Sequence, residues 1–344
     1  VIVKPAALLL LLMIGLGAMK TNAQQRPDLT TLIQAANENN LRLKRGGLEV
    51  AQNRALQGAA FDFPRTDFRL AQDPTSGGNI DNSIGVIQTF SLPTVYKKQR
   101  TVFEQQTKLS QSSIQVTQAE VVRNIKQAYY NYLYTQEKIN LLLYLDSLYK
   151  DFFNKADVRY KAGETSNLER LTAQNSYFEV QLQRKDAEAD LRVYEAQLRQ
   201  QTNTSLINIG SIDSAAYPVE PVVLDTVTAQ NPLLRYYQQN VALAQSRVAL
   251  ERTKRLPDFS LGYYHQFVWK GFDPAGINRK YFPGTRMGGF EVGVSLPLFG
   301  TKAFKSRVQA EQIASNIAQT ELAAAQWQIN SEAQQAFEQY QKHR

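Results

Sequence analysis

Val121 to Tyr160 reads VVRNIKQAYYNYLYTQEKINLLLYLDSLYKDFFNKADVRY, and this stretch decides the fold. Steps of four and three alternately from Val121 pick out Val121, Ile125, Ala128, Tyr132, Thr135, Ile139, Leu142, Asp146, Tyr149, Phe153, Ala156 and Tyr160. All but Thr135 and Asp146 are apolar or aromatic. A repeat of 3.5 residues is the coiled-coil period, not the 3.6 of a straight globular helix. A second set beside it, Tyr130, Leu133, Leu141, Leu145, Leu148 and Phe152, predicts packing partners on two sides. From Lys97 to Val158 there is neither Gly nor Pro, so the spacing predicts a rod on the order of 90 Å at 1.5 Å per residue. The rod turns at Lys161-Ala162-Gly163-Glu164 and returns from Ser166 to Thr202, with Ser166 at the cap and Glu169 at the capping-box position.

Outward from the rod the chain repeats itself. Ala51-Gln52-Asn53-Arg54-Ala55 recurs as Ala244-Gln245-Ser246-Arg247-Val248, and Pro64 as Pro257. Ser91-Leu92-Pro93 recurs as Ser295-Leu296-Pro297, and Gln127 to Tyr132 as Gln335 to Tyr340. Four short matches in one order, at slowly growing offsets, imply two copies of one unit. The first runs over 24–215: a helix over 29–62 with Pro64 as its stop, a β-hairpin over 66–92, and the long helical hairpin over 97–202. The second, 216–344, repeats the helix, a hairpin over 258–297 and the start of a long helix, and stops before a last helix.

The strands of the second hairpin alternate. Phe259, Leu261, Tyr263, His265 and Phe267 face one way, and Ser260, Gly262, Tyr264 and Gln266 the other. Phe290, Val292, Val294 and Leu296 alternate with Gly289, Glu291, Gly293 and Ser295. Such strands have one apolar face and one small, polar face. Their edges cannot stay open in hydrocarbon. Four strands per chain close only in an oligomer, and three chains give twelve, within the range of outer-membrane barrels. The expected fold is therefore mainly α with a small β part: helical hairpins forming an α-barrel, and four strands per chain joining a 12-stranded trimeric β-barrel. Gln, Asn, Ser and Gly would then line a water-filled wall.

Composition narrows the chemistry. Cysteine is absent and His occurs twice among 344 residues, so thiol catalysis, disulfide frameworks and cysteine-held metal sites are excluded, as is a lipid anchor on cysteine. His265 lies in a strand and His343 near the end, and no HExxH, Walker A or GxSxG pattern occurs. The expected protein is no enzyme, and no cofactor or metal is expected. The charge of +8 and pI of 9.4 would allow a nucleic-acid partner. The basic residues form no recognised module, however, and no nucleic acid is expected. Lys97, Lys98 and Arg100, and Arg252, Lys254 and Arg255, flank the strands, where headgroup phosphates are the simpler partner. Trp269, Phe272, Tyr281 and Phe282 bracket the second hairpin loop and are expected in a membrane-interface girdle. Lys4, the apolar run Ala6 to Ala18 and Thr21-Asn22-Ala23 read as a signal peptide over 1–23, or as the end of a fused domain, since the chain starts at Val1. Either way the body is expected outside the cytoplasm.

Arg159-Tyr160-Lys161-Ala162-Gly163-Glu164-Thr165-Ser166-Asn167-Leu168-Glu169-Arg170-Leu171-Thr172-Ala173-Gln174, with the two hairpins ending in Ser-Leu-Pro, resembles the TolC-like outer-membrane efflux proteins. The resemblance implies a homotrimeric duct in the cell outer membrane extending into the periplasm. Such ducts are the exit of tripartite efflux pumps and type I secretion systems, joined to a periplasmic adaptor (membrane fusion) protein and an inner-membrane transporter of the RND or ABC type. It also implies an adaptor-contact tip at Ala162, Gly163, Glu164 and Thr165, and a gate residue at Glu169, which equally suits a plain helix-start acid. Without cysteine the chain resembles the unlipidated members. The alternative is a periplasmic coiled-coil adaptor or scaffold, which would lack duplicated lipid-facing strands. The transported substrate is not written in the sequence.

Overall fold

The computed structural model describes residues 28–72, 81–204, 230–268 and 286–343. In chain order these form α1 (Leu29–Asn39), α2 (Leu41–Leu56), a 3-10 turn (Gln57–Phe61), β1 (Asp67–Gln72), β2 (Asp81–Ser91), α3 (Pro93–Lys161), α4 (Asn167–Thr202), α5 (Pro232–Thr253), β3 (Asp258–Val268), β4 (Arg286–Ser295) and α6 (Thr301–His343). They divide into two compact units. One holds α1, the part of α3 from Glu120 onward, and α4; the other holds α2, the strands, the earlier part of α3, α5 and α6. The expected leader over 1–23 lies outside the described residues.

In the first unit the heptad stripe is the core. Val121 and Ile125 are fully buried, and with Ala128, Tyr129 and Leu133 they pack against Leu32 and Ala36 of α1 and Leu198 of α4. Full burial of a side chain like Ile125 contributes about 1.5–3 kcal/mol. Farther along, Leu142, Ile139, Leu145 and Tyr149 pack on Val180 and Ala187 of α4. Asp146, one of the two polar members of the stripe, accepts a hydrogen bond from Arg184 of α4 at 3.4 Å. This pair joins the two helices across an otherwise apolar seam, and Arg184 also approaches Glu188 on its own helix at 3.5 Å.

The helix expected over 29–62 is broken. Asn40 has extended backbone (ψ 124°) between α1 and α2, and its side-chain amide donates to the Gln201 carbonyl at 2.8 Å. That long-range bond outweighs the local preference to continue. Asp28 caps the start of α1, accepting from the Leu29 N–H at 2.7 Å. The long helix also starts earlier than Lys97, because Pro93 supplies a preset φ at the first helical position.

In the second unit α2 lies close on α3. A Cβ added to Gly46 would come within 2.7 Å of Ile114, so the approach needs that glycine. The seam is polar: Asn53 donates to Ser110 at 2.6 Å and Gln57 to Thr107 at 2.8 Å. Gln239 of α5 bonds Gln105, and Arg247 bonds Gln106 at 3.3 Å. These amides therefore join helices, where the composition suggested a water-lining role. Beside them Val102 packs on Leu243 and Leu250. Glu251, buried on α5, is held by Lys254 at 2.6 Å and by Arg307 of α6 at 3.0 Å. Lys254 is thus committed to a carboxylate, and Arg255 lies over the Phe304 ring at 5.8 Å. Two members of the basic cluster read from the sequence thus have partners within the chain, while Arg252, Lys254 and Arg255 all stay exposed.

Candidate functional site: the two-faced sheet and the helical turn

The four strands form one antiparallel sheet in the order β1-β2-β3-β4. Directly opposed residues share a face, so the register sorts every side chain. One row across the sheet is Phe68, Val86, Tyr263 and Phe290; others are Leu70, Ile84 and His265, then Gln88, Leu261 and Val292, then Phe90, Phe259 and Val294. The opposite face carries Arg69, Gly85, Tyr264 and Gly289, then Asp67, Ile87, Gly262 and Glu291, then Thr89, Ser260 and Gly293. The alternation expected for the second hairpin thus extends over all four strands, with Gln88 and Ile87 as exceptions. Gln88 is satisfied by the Pro64 carbonyl at 2.8 Å and by the Thr66 hydroxyl.

No other described element covers the apolar face. Phe68 is 77% exposed, Leu70 82%, Phe290 81% and Val292 75%. A contiguous sheet of such residues exceeds what a water-soluble surface carries. His265 belongs to this face and lies beside the Tyr263 hydroxyl at 3.4 Å. On the polar face Tyr264 covers Gly289 so closely that a Cβ there would sit 2.6 Å from its hydroxyl. No helix among the described residues is long and apolar enough to cross a membrane. Among the described residues no cluster of His, Asp or Glu is arranged to hold a metal. Trp269, Phe272, Tyr281 and Phe282, named for the interface girdle, lie outside the described residues.

At the far end of α3 the chain reverses through a Schellman turn. The Glu164 N–H donates to Arg159 O at 2.9 Å, and the Gly163 N–H to Tyr160 O at 3.0 Å. Gly163 adopts φ +75°, the left-handed conformation expected for it. Ser166 then caps α4, accepting from the Glu169 N–H at 3.3 Å. Ala162, Gly163 and Glu164 are exposed, Thr165 is half-buried, and Glu169 is exposed in the first turn of α4. Glu169 thus gives its backbone N–H to the Ser166 cap, and its carboxylate stands in the first turn of α4.

The sequence reading missed what stiffens this turn. Arg170 approaches Asp157 at 3.9 Å and lies over the Tyr160 ring at 5.3 Å, while Lys161 pairs with Asp157 at 2.6 Å and Glu164 with Arg159 at 3.7 Å. The signal was an excess of paired charges within about two helical turns on either side of the Gly, which local patterning does not connect across the reversal.

Two further helix faces are left uncovered. On α3 Tyr130, Tyr134, Leu141, Tyr144, Leu148 and Phe152 are exposed at heptad spacing; on α4 so are Leu168, Leu171, Phe178, Leu182 and Val193. Of the second stripe read from the sequence, Leu133 is buried and Leu145 packs towards α4, while Leu141, Leu148 and Phe152 are exposed. Nearby, burial pushes the Tyr132 phenol above its ordinary value, and the Glu195 carboxylate adds to the rise.

Residues 223–344 match the model of the family described as outer membrane efflux protein. No curated protein sequence matches the chain. Among solved structures, the CmeC outer membrane channel of Campylobacter jejuni is similar at TM-score 0.68 and 18% identity, over 86% of this chain and 67% of that one. The outer-membrane channel OprN is similar at TM-score 0.74 and 14% identity, over 91% and 74%. The open-state MtrE outer membrane channel of Neisseria gonorrhoeae follows at TM-score 0.64 and 18% identity, over 91% and 71%. At such identities the likeness is one of fold.

Proposed function

We propose, from a chain whose residues 223–344 form an outer membrane efflux protein domain and whose fold is that of TolC-like outer-membrane channels, that it is one protomer of an outer-membrane exit duct. The observation that carries the reading is the exposed apolar face of the sheet, backed by a face of small and polar residues. Strands of that pattern suit a barrel wall with lipid outside and water inside. Edges β1 and β4 have no partner among the described residues, and pairing them between copies closes the sheet; three copies supply twelve strands.

The uncovered heptad stripes of α3 and α4 suit packing between neighbouring copies in a helical tube that continues the barrel into the periplasm. The Schellman turn at Ala162 to Thr165 is then the tip that meets a periplasmic adaptor, which links the duct to an inner-membrane transporter of the RND or ABC type. Glu169, one turn into α4, faces the opening of the tube as a gate carboxylate.

The test is fractionation of the full-length protein. A duct protomer co-purifies with outer membrane, needs detergent for release, and runs as a heat-sensitive trimer. Release by salt as a soluble monomer refutes the reading and favours the adaptor or scaffold alternative.

A further inference from the structure

The two hairpins pass from sheet to helix in different ways. After β2, Pro93 opens α3 at once, and the Val95 N–H donates to Leu92 O at 2.8 Å. Tyr96 then folds back, its hydroxyl accepting from the Ser91 N–H at 3.1 Å. Phe61 stacks on Tyr96 with ring centroids 6.1 Å apart, and Phe63 meets Tyr96 and Phe90 edge-on at 5.4 and 5.8 Å. Phe61 and Phe63 nevertheless keep about half their surface open (52% and 53%).

After β4 the same Ser-Leu-Pro is followed by Leu298-Phe299-Gly300 before α6 begins. The Leu298 N–H closes a tight turn on Leu296 O at 2.9 Å, around Pro297. Gly300 takes φ +83°, and its carbonyl accepts from the Phe304 N–H at 3.0 Å. Backbone bonds on both sides thus hold Leu298 and Phe299 outward. Phe299 is 92% exposed and Leu298 73%.

Both features flank a sheet edge. Phe61 and Phe63 lie just before β1, and Leu298 and Phe299 just after β4. With four antiparallel strands, β4 of one copy can pair with β1 of the next in the same antiparallel sense. The end of β4 then lies beside the start of that β1. We infer that the Leu298–Phe299 turn of each copy seats on the Phe61–Phe63 cluster of its neighbour, an aromatic clamp that seals the seam between copies where the sheet meets the helices. This rests on the closed-barrel reading and names the residues that would hold its seam. A second copy fits better than lipid because each chain carries one fixed apolar turn at one edge and one half-covered aromatic cluster at the other, the complementary ends of a ring-forming interface.

The absence of native cysteine makes the test direct. Chains carrying Phe61→Cys or Phe63→Cys are co-expressed with chains carrying Leu298→Cys or Phe299→Cys, and membranes are mildly oxidised. As a reference, Phe68→Cys or Leu70→Cys chains are paired with Phe290→Cys or Val292→Cys chains to report β1–β4 contact. The clamp predicts disulfide-linked dimers in at least one of the four junction pairs, as well as in the reference. Reference dimers without junction dimers overturn the clamp and leave the barrel standing; no dimers in either overturn both. In a cysteine-free chain, Phe299→Ala should lower the temperature at which the oligomer band dissociates, with strand content unchanged. Strong quenching of a fluorophore at residue 299 by brominated lipid, with no junction dimers, would assign the turn to the bilayer and overturn the proposal.

Discussion

Replacement of Phe68 by arginine separates a lipid-facing sheet from a water-facing one. Phe68 sits on β1 opposite Val86, in the row that continues through Tyr263 and Phe290 near the middle of β3 and β4. Its side chain is 77% exposed, so an arginine there displaces little of the chain's own packing. In water such a surface change falls within about 0.5 kcal/mol of neutral. On a barrel wall near the bilayer midplane it costs about 2–4 kcal/mol. At 1.4 kcal/mol per tenfold, that is about a 30- to 700-fold loss in the folded-to-unfolded ratio. Phe68→Ala measures the packing loss alone, and Asp67→Arg puts the same charge on the adjacent, opposite face, where the sheet already carries Arg69. The assay is denaturant-dependent folding into lipid vesicles, read by the heat-sensitive gel shift. Expected are a large loss for Phe68→Arg, a smaller one for Phe68→Ala, and almost none for Asp67→Arg. Equal tolerance of the two arginines would refute the assignment of the apolar face to lipid.

Other perturbations follow from the same geometry. A bulky charged residue at Gly163 meets open space but must adopt φ +75°, at about 1–2 kcal/mol; trimers should persist on gels while substrate export is lost, and normal export would remove the tip from the adaptor contact. Asp146→Ala leaves Arg184 half-buried without that partner and should lower stability by about 1 kcal/mol after solvent screening; replacing both by leucine should cost less, measured by denaturant melts. The folded state holds the Tyr132 proton more tightly than the unfolded chain does. The associated stability is complete below the ordinary phenol value of about 10 and is lost as pH rises through the raised one. Tyr132→Phe should remove part of that alkaline loss in melts compared at pH 9 and 11.

The long helix was legible because its stripe is a local repeat: the residues from Val121 to Ala156 stepped out at 3.5-residue spacing are buried or half-buried, and only Tyr160, at the turn, is exposed. The hairpins were legible from alternation, which the pairing of Phe259 with Val294 and Leu261 with Val292 converts into a common face. Gly163 was legible because a sharp reversal of helix needs a left-handed residue. What stayed hidden depends on partners far along the chain. Asn40 breaks α1 from α2 through a carbonyl at Gln201, Asp146 finds Arg184, and the buried Glu251 pairs with Arg307 of α6. Gln105 and Gln106 belong to the amides expected to line water, yet each is met by a side chain of another helix. At the turn, the contact of Arg170 with Asp157 and Tyr160 spans the reversal itself, where helical periodicity is interrupted.

The mass of the protein extracted from outer membrane into mild detergent, measured by native mass spectrometry, tests the central claim most directly. Closure of the sheet through its free edges predicts a particle of three chains that keeps its β-signal and falls apart only on heating. A stable single chain, or one that stays dispersed in buffer without detergent, would contradict it.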